Sequence, residues 1–202
     1  MTPPVLYLAS QSPRRSQLLD QLGVVHALLL PDPHEDTEAI EDVLPAETPA
    51  RYVQRVTALK LDAALERLQR RGLPPAPVLC SDTTVALGRQ IYGKPVDTRD
   101  AQRMLGELSG ATHRVLTAVA VGSARRRDQA LSASRVTFEA LTRAQIQAYA
   151  ATGEPLGKAG AYAIQGRAAM HVARISGSYS GIMGLPMFET SHLLREAGVR
   201  GL

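Results

Sequence analysis

The sequence predicts an α/β protein built on a mixed sheet with flanking helices and a groove. Three observations carry that prediction. Short apolar runs of strand character alternate with stretches of helical period, Gly and Pro punctuate the boundaries, and the spacing is too irregular for a barrel. With 202 residues, 45% of them hydrophobic, the chain can bury one or two adjoining cores as one unit over residues 1–202.

The first apolar run, residues 5–9, reads as a buried strand broken by Ser10-Gln11-Ser12-Pro13-Arg14-Arg15. Ser12 at the N-cap and Pro13 at the first helical position open a helix carrying Leu18, Leu19 and Leu22, and Gly23 closes it. The start of that helix offers unpaired backbone N–H groups and the positive end of a dipole. Two arginines in its first turn oppose the dipole unless an anion is present. An Arg pair of this kind also reads simply as two solvated surface residues.

Residues 31–49, rich in acids and prolines, read as a loop whose chemical centre is His34-Glu35-Asp36. Thr48-Pro49 then caps a long helix running to about residue 71, with Val53, Val56 and Ala64 on one face and Lys60 among them. A lysine on an apolar stripe either snorkels toward water or meets a partner.

After a turn-rich break at 72–77, residues 77–87 read as a strand with Asp82 in its middle. A carboxylate flanked by Val78, Leu79, Val85 and Leu87 is costly to bury without a cation or metal. Asp82 is therefore the leading candidate for chemistry, against the plainer alternative of a capped turn between two short strands. Gly93-Lys94-Pro95 is a tight connection. Asp97 or Thr98 caps the next helix, which carries Ala101, Met104, Leu105 and Leu108 and ends at Gly110. Strands follow over 114–122 and 130–141, joined by a charged tip at Arg125-Arg126-Arg127. Thr142 and Gln145 make a capping box for a short helix ending near Gly153. The glycine-rich stretch 153–166 lacks the GxxxxGK[ST] order of a phosphate-binding P-loop. Residues 168–175 read as a strand, 177–184 as flexible, and 186–198 as a last helix.

Bulk properties exclude several classes. No run approaches the roughly 18 apolar residues of a membrane span, and the start MTPPVLYLAS lacks a signal peptide's basic and apolar regions. Cys80 is the single cysteine and can form neither an internal disulfide nor a zinc cluster, which agrees with a reducing compartment and a cytoplasmic location. The net charge of +4 is too small to call for a nucleic-acid partner. Of 23 basic residues only Lys60, Lys94 and Lys158 are lysines, and all three lie in segments singled out here.

The motifs Ser10-Gln11-Ser12-Pro13-Arg14-Arg15, Ser81-Asp82-Thr83-Thr84-Val85, Gly93-Lys94-Pro95, Leu108-Ser109-Gly110-Ala111-Thr112-His113, Gly153-Glu154-Pro155 with the Lys158 to Gly166 run, and Gly184-Leu185-Pro186 resemble the Maf family in order and spacing, over nearly the whole chain. The resemblance implies an elongated fold akin to that of inosine triphosphate pyrophosphatases, with a nucleotide cleft between two lobes, a homodimer, and a Mg²⁺ or Mn²⁺ requirement. It implies that Asp82 is the proton acceptor and that Ser10, Arg15, Glu35, Lys60 and Lys94 line the cleft, with Lys94 expected to be catalytic alongside Asp82; Glu35 and Asp82 can supply oxygen ligands for the divalent ion. Cleavage between the α- and β-phosphates needs an in-line water, a base or metal to activate it, and cations for the polyphosphate, and these residue types supply each.

Arg14, Thr83 and Gln165 resemble the positions that mark the branch acting on dTTP and UTP, where a 7-methyl-GTP branch carries Trp, Gln and Glu. This chain has no Trp. Gln165 offers a donor and an acceptor, which suits the N3–H and O4 edge shared by thymine and uracil. Two departures stand out: His34-Glu35 replaces a usual Asp-Glu, and Gly157 replaces a usual Asp. A 7-methyl-GTP pyrophosphatase, or a septum-formation factor acting by binding through the Arg125-Arg126-Arg127 tip, are the competing readings.

Overall fold

The computed structural model describes residues 5–32, 35 and 39–199. His34 and Asp36 lie outside the described residues. Seven strands join in one sheet: β1 (Leu6–Leu8), β2 (His26–Leu28), β3 (Val78–Leu87), β4 (Gln90–Tyr92), β5 (Thr112–Gly122), β6 (Arg127–Phe138) and β7 (Val172–Ser176). The helices are α1 (Pro13–Gln21), α2 (Pro49–Arg70), α3 (Thr98–Leu108), α4 (Arg143–Ala150), α5 (Tyr179–Met183) and α6 (Met187–Glu196). The mixed α/β class expected from the sequence is the one observed. No helix among the described residues is long and apolar enough to cross a membrane.

The strand order is β2-β1-β3-β5-β6-β7, with β1 parallel to both β2 and β3 and the remaining pairs antiparallel. One edge of β3 is fully taken by β5, from Val78 to Ala86. The other edge is shared. β1 pairs with it only at Val78 and Leu79, and β4 only from Val85 to Leu87. Among the described residues, the interval from Cys80 to Thr84 has no strand beside it on that edge, and Asp82 is at its centre.

Alternation along β3 assigns its side chains to two faces. Val78 and Cys80 pack with Leu61, Ala64 and Leu68 of α2, and Val53 and Val56 of the same helix pack on Leu116 and Ala118 of β5. The α2 stripe predicted from its period is therefore the face laid on the sheet. On the opposite face are two separate cores. One joins Leu6, Leu8 and Leu79 to α1 and α6, and the other joins Val85, Val115 and Val136 to α3 and α4. Leu6, Leu8 and Leu19 are fully buried, each contributing about 1.5–3 kcal/mol. Between the two cores runs a polar seam in which Ser81, Thr117, Ser132 and Ser134 are buried.

Local differences from the sequence expectation have local causes. Residues 167–171 form a 3₁₀ turn and the strand begins only at Val172, since Ala-Ala-Met-His has no β-branched residue to hold a pleat. Residues 179–183, expected to be flexible, form α5 because the Ser178 hydroxyl accepts from Gly181 N at 3.0 Å. β2 and β4 have three residues each, too few to show a period. β4 returns from β3 through Gly88, whose φ of 59° suits the tight turn. The caps at Asp97 and at Thr142 with Gln145 form as expected.

Candidate active site

A cleft of about 460 Å³ opens at the unpaired interval of β3 and wraps around that strand edge. It is bounded by the loop after β1, by α2, by the loop after β4, and by residues 157–165. Because the cleft straddles an edge, consecutive β3 residues reach it from opposite faces: Asp82 on the α2 side and Thr83 on the side of the polar seam.

On the α2 side, Lys60 Nζ donates to Asp82 Oδ1 at 2.6 Å and to Glu41 Oε1 at 2.7 Å. Lys94 reaches Glu41 Oε2 at 3.4 Å. Lys60 does not snorkel to solvent; the stripe that packs α2 also aims its ammonium at Asp82. Burial works to lower the Lys60 pKa, but Asp82 and Glu41 outweigh it and hold the ammonium above its ordinary value. For Glu41, burial pushes the carboxyl up and Lys60 pulls it further down, so the net displacement is below the usual carboxylate range.

On the seam side, Arg15 Nε donates to the Gly184 carbonyl at 2.8 Å and Arg15 Nη1 to Ser10 Oγ at 3.1 Å. Gly184 closes α5 with φ of 118°, a conformation that favours glycine, and its carbonyl also accepts from Ser81 Oγ at 3.0 Å. Arg15 is thus fixed by acceptors that leave its charge uncompensated; burial lowers its pKa, against the attraction of Asp82. Ser12 occupies the N-cap of α1 but makes no side-chain cap bond. Its own N–H turns to Ser10 Oγ at 3.1 Å. Thr117 donates to the Gly181 carbonyl at 2.7 Å, so the 3.0 Å contact between Thr83 and Thr117 has Thr83 as donor. The Thr83 oxygen then presents lone pairs to the cleft. Arg14 reaches the Met183 carbonyl at 3.4 Å, and Gln165 is exposed at the cleft wall with no side-chain hydrogen bond among the described residues.

The structure brings Ser10, Arg14, Arg15, Lys60, Asp82, Thr83, Lys94 and Gln165 together around one cleft. Glu35 is placed elsewhere. Its carboxylate is taken up by Arg67 and Arg70, and it is not among the residues lining the cleft. Arg67 holds the Glu35 carboxyl well below the usual range. Arg67 follows Lys60 by seven residues on α2, roughly 10 Å of helix rise, so an acid bound to Arg67 is a different pole from one bound to Lys60. The acid that does meet Lys60 is Glu41, at the end of a 3₁₀ turn (Ala39–Glu41) within the stretch read as a loop. Nothing in that acid-rich segment ranks Glu41 above its neighbours. Arg67, which lines the cleft and is 3% exposed, had a signal: it continues the helical spacing of positions 53, 56, 60 and 64.

Carboxylates and unneutralised cations in one cleft, set at an interruption in the strand pairing of an α/β sheet, define an enzyme that handles a polyphosphate. The Maf-like protein family matches residues 5–197, and the chain belongs to the Maf family. It is 72% identical over 195 residues to a dTTP/UTP pyrophosphatase of Albidiferax ferrireducens, covering 96% of this chain and 98% of that one. It is 68% identical to one of Polaromonas sp., covering 96% of each, and 65% identical to one of Cupriavidus metallidurans, covering 96% and 98%. Among solved structures, the Ham1 protein of Staphylococcus aureus is similar at a TM-score of 0.38 and 12% identity, over 66% of this chain and 70% of that one.

Proposed function

We propose that this chain hydrolyses dTTP and UTP to the nucleoside monophosphate and pyrophosphate. The observation that carries the proposal is the sharing of Lys60 between Asp82 and Glu41 at an open strand edge, with Arg15 and Lys94 in the same cleft. The names of the relatives support the substrate class.

The reaction breaks the bond between the α- and β-phosphates: water attacks phosphorus, pyrophosphate leaves, and a proton must be removed from the water. Asp82 engages Lys60 through Oδ1, which leaves Oδ2 to accept that proton. Arg15, Lys60 and Lys94 offset the charge of the chain of phosphates and of the departing pyrophosphate. Backbone N–H groups at the start of α1, with no side-chain cap from Ser12, offer further donors to phosphate oxygens.

The divalent ion implied by the resemblance fits the carboxylates present. Asp82 and Glu41 face one cleft, and a hard ion such as Mg²⁺ takes one or two carboxylates and completes its shell with water and phosphate oxygens. When bound, the ion supplies charge neutralisation and a more acidic water. Asp82 and Glu41 would hold it, in place of the Asp82 and Glu35 pair expected from the sequence.

The base edge falls to Arg14, Thr83 and Gln165 on the seam side. An unengaged Gln165 amide matches a pyrimidine edge that offers one donor and one acceptor. A cytoplasmic location is part of the same proposal, supported by the lone buried thiol of Cys80. The test is a panel of dTTP, UTP, CTP and 7-methyl-GTP with Mg²⁺ and with Mn²⁺, following release of pyrophosphate. Preference for dTTP and UTP is the expected result. Release from 7-methyl-GTP alone, or from none of them, would overturn the assignment.

A further inference from the structure

Gln165 is carried on a turn between two short 3₁₀ segments (Ala159–Ala161 and Arg167–His171), an insecure mounting for a group that must discriminate bases. Its neighbours on both sides are tied to the same pair of side chains. Tyr149, near the end of α4 and 6% exposed, accepts through its hydroxyl oxygen from Ala163 N at 3.3 Å. The same hydroxyl donates to Glu154 Oε1 at 2.8 Å, and Glu154 Oε2 accepts from Arg167 N at 3.1 Å. The backbone is therefore gripped two residues before Gln165 and two residues after it.

Gly166 shows how closely this grip fits. A Cβ built there would sit 2.3 Å from Glu154 Oε1 and 2.5 Å from its carboxyl carbon, so the carboxylate lies flat on the backbone of the turn. Gly166 N closes the turn on the Ala163 carbonyl at 3.0 Å. Burial, followed by the bond to Glu154, raises the Tyr149 pKa, so the phenol keeps the proton it donates. Neither side chain lines the cleft.

We propose that Tyr149 and Glu154 are positioning residues for base selection, holding the turn from Ala163 to Arg167 so that the Gln165 amide meets the pyrimidine edge. The proposal rests on Gln165 as the reader of the base. A carboxylate is required rather than an amide, because each oxygen accepts one bond; in Glu154→Gln one of the two acceptors becomes an NH₂ donor, facing either the Tyr149 hydroxyl or the Arg167 N–H. Tyr149→Phe removes both the acceptor for Ala163 N and the donor to Glu154.

The experiment compares wild type, Tyr149→Phe, Glu154→Gln and Gln165→Ala by kcat and KM for UTP and CTP, with thermal melting as the folding control. Both clamp variants should raise KM for UTP roughly tenfold with kcat changed much less, and should move the UTP:CTP ratio of kcat/KM toward that of Gln165→Ala. Glu154→Gln changes almost no volume and decides the question if Tyr149→Phe does not fold. If Gln165→Ala flattens the ratio while the clamp variants keep it, or lower both activities alike, the positioning role is overturned and base reading by Gln165 stands. If Gln165→Ala keeps the wild-type ratio, Gln165 is not the reader, and the proposal falls with that reading.

Discussion

Lys60 stands 2.6 Å from Asp82 and 2.7 Å from Glu41, one ammonium shared by two carboxylates that arrive from a strand and from a 3₁₀ turn. Replacing it with Met would leave two like charges in a half-buried site, and the Glu41 carboxyl, which Lys60 holds down, would then titrate at higher pH. The acidic limb of the kcat/KM profile should move upward in Lys60→Met and stay near its wild-type position in Lys60→Arg. An unmoved limb in the Met variant would show that Lys60 is not what holds the Glu41 carboxyl down.

Asp82→Asn removes the proposed proton acceptor but keeps its volume, and Lys60 retains Glu41. Turnover should fall by roughly 10²–10⁴-fold, with the melting temperature within about 5 °C of wild type. Single-turnover kinetics and a melting curve measure the two effects separately. Near-normal turnover in a folded variant would remove Asp82 from the mechanism.

Glu35 and Glu41, two acids of residues 31–49 that hold different cations, should behave differently. Glu41→Gln takes one carboxylate from the cleft and should raise the Mg²⁺ concentration for half-maximal activity roughly tenfold. Glu35→Gln should leave that titration in place, since its carboxylate belongs to Arg67 and Arg70. A metal titration of the two variants side by side checks the assignment, and equal shifts in both would contradict it.

Glu35 also makes a stability prediction. Its carboxyl is depressed by Arg67, so its contribution is complete above the unfolded-state pKa of about 4.3 and is lost as pH falls toward the folded-state value. Wild type should lose melting temperature steeply below about pH 4.3, and Glu35→Gln should start lower and fall less steeply. Parallel curves would mean the ion pair is not linked to folding.

His113 titrates in a higher window. Its Nε2 lies 2.8 Å from the Tyr162 hydroxyl, both packed against Phe138, and burial pushes its pKa down to about 4. The unfolded chain binds the proton first, so stability should drop between about pH 6.5 and about 4. His113→Gln cannot titrate there and should show a flatter profile over that interval.

Much of this was legible in the sequence because periodicity and burial cost are local. The α2 stripe exposes Lys60 as an anomaly, and Asp82 in an apolar strand announces a buried charge before any partner is known. Glu41 was not legible, since residues 31–49 have no period and the residue is selected only by the approach of α2. The open edge of β3 was equally hidden. It depends on two strands of three residues, β1 and β4, each stopping short of the other.

That gap also determines how the cleft can behave mechanically. Asp82 and Thr83 reach it from adjacent positions of β3, whose other edge is laddered to β5 without a break from Val78 to Ala86. The spacing of these two residues is therefore set by a continuous hydrogen-bonded ribbon. Under the proposed function, the hydrolytic and base-facing residues of β3 share one ribbon, so any adjustment to a nucleotide falls to the loops and turns that complete the cleft.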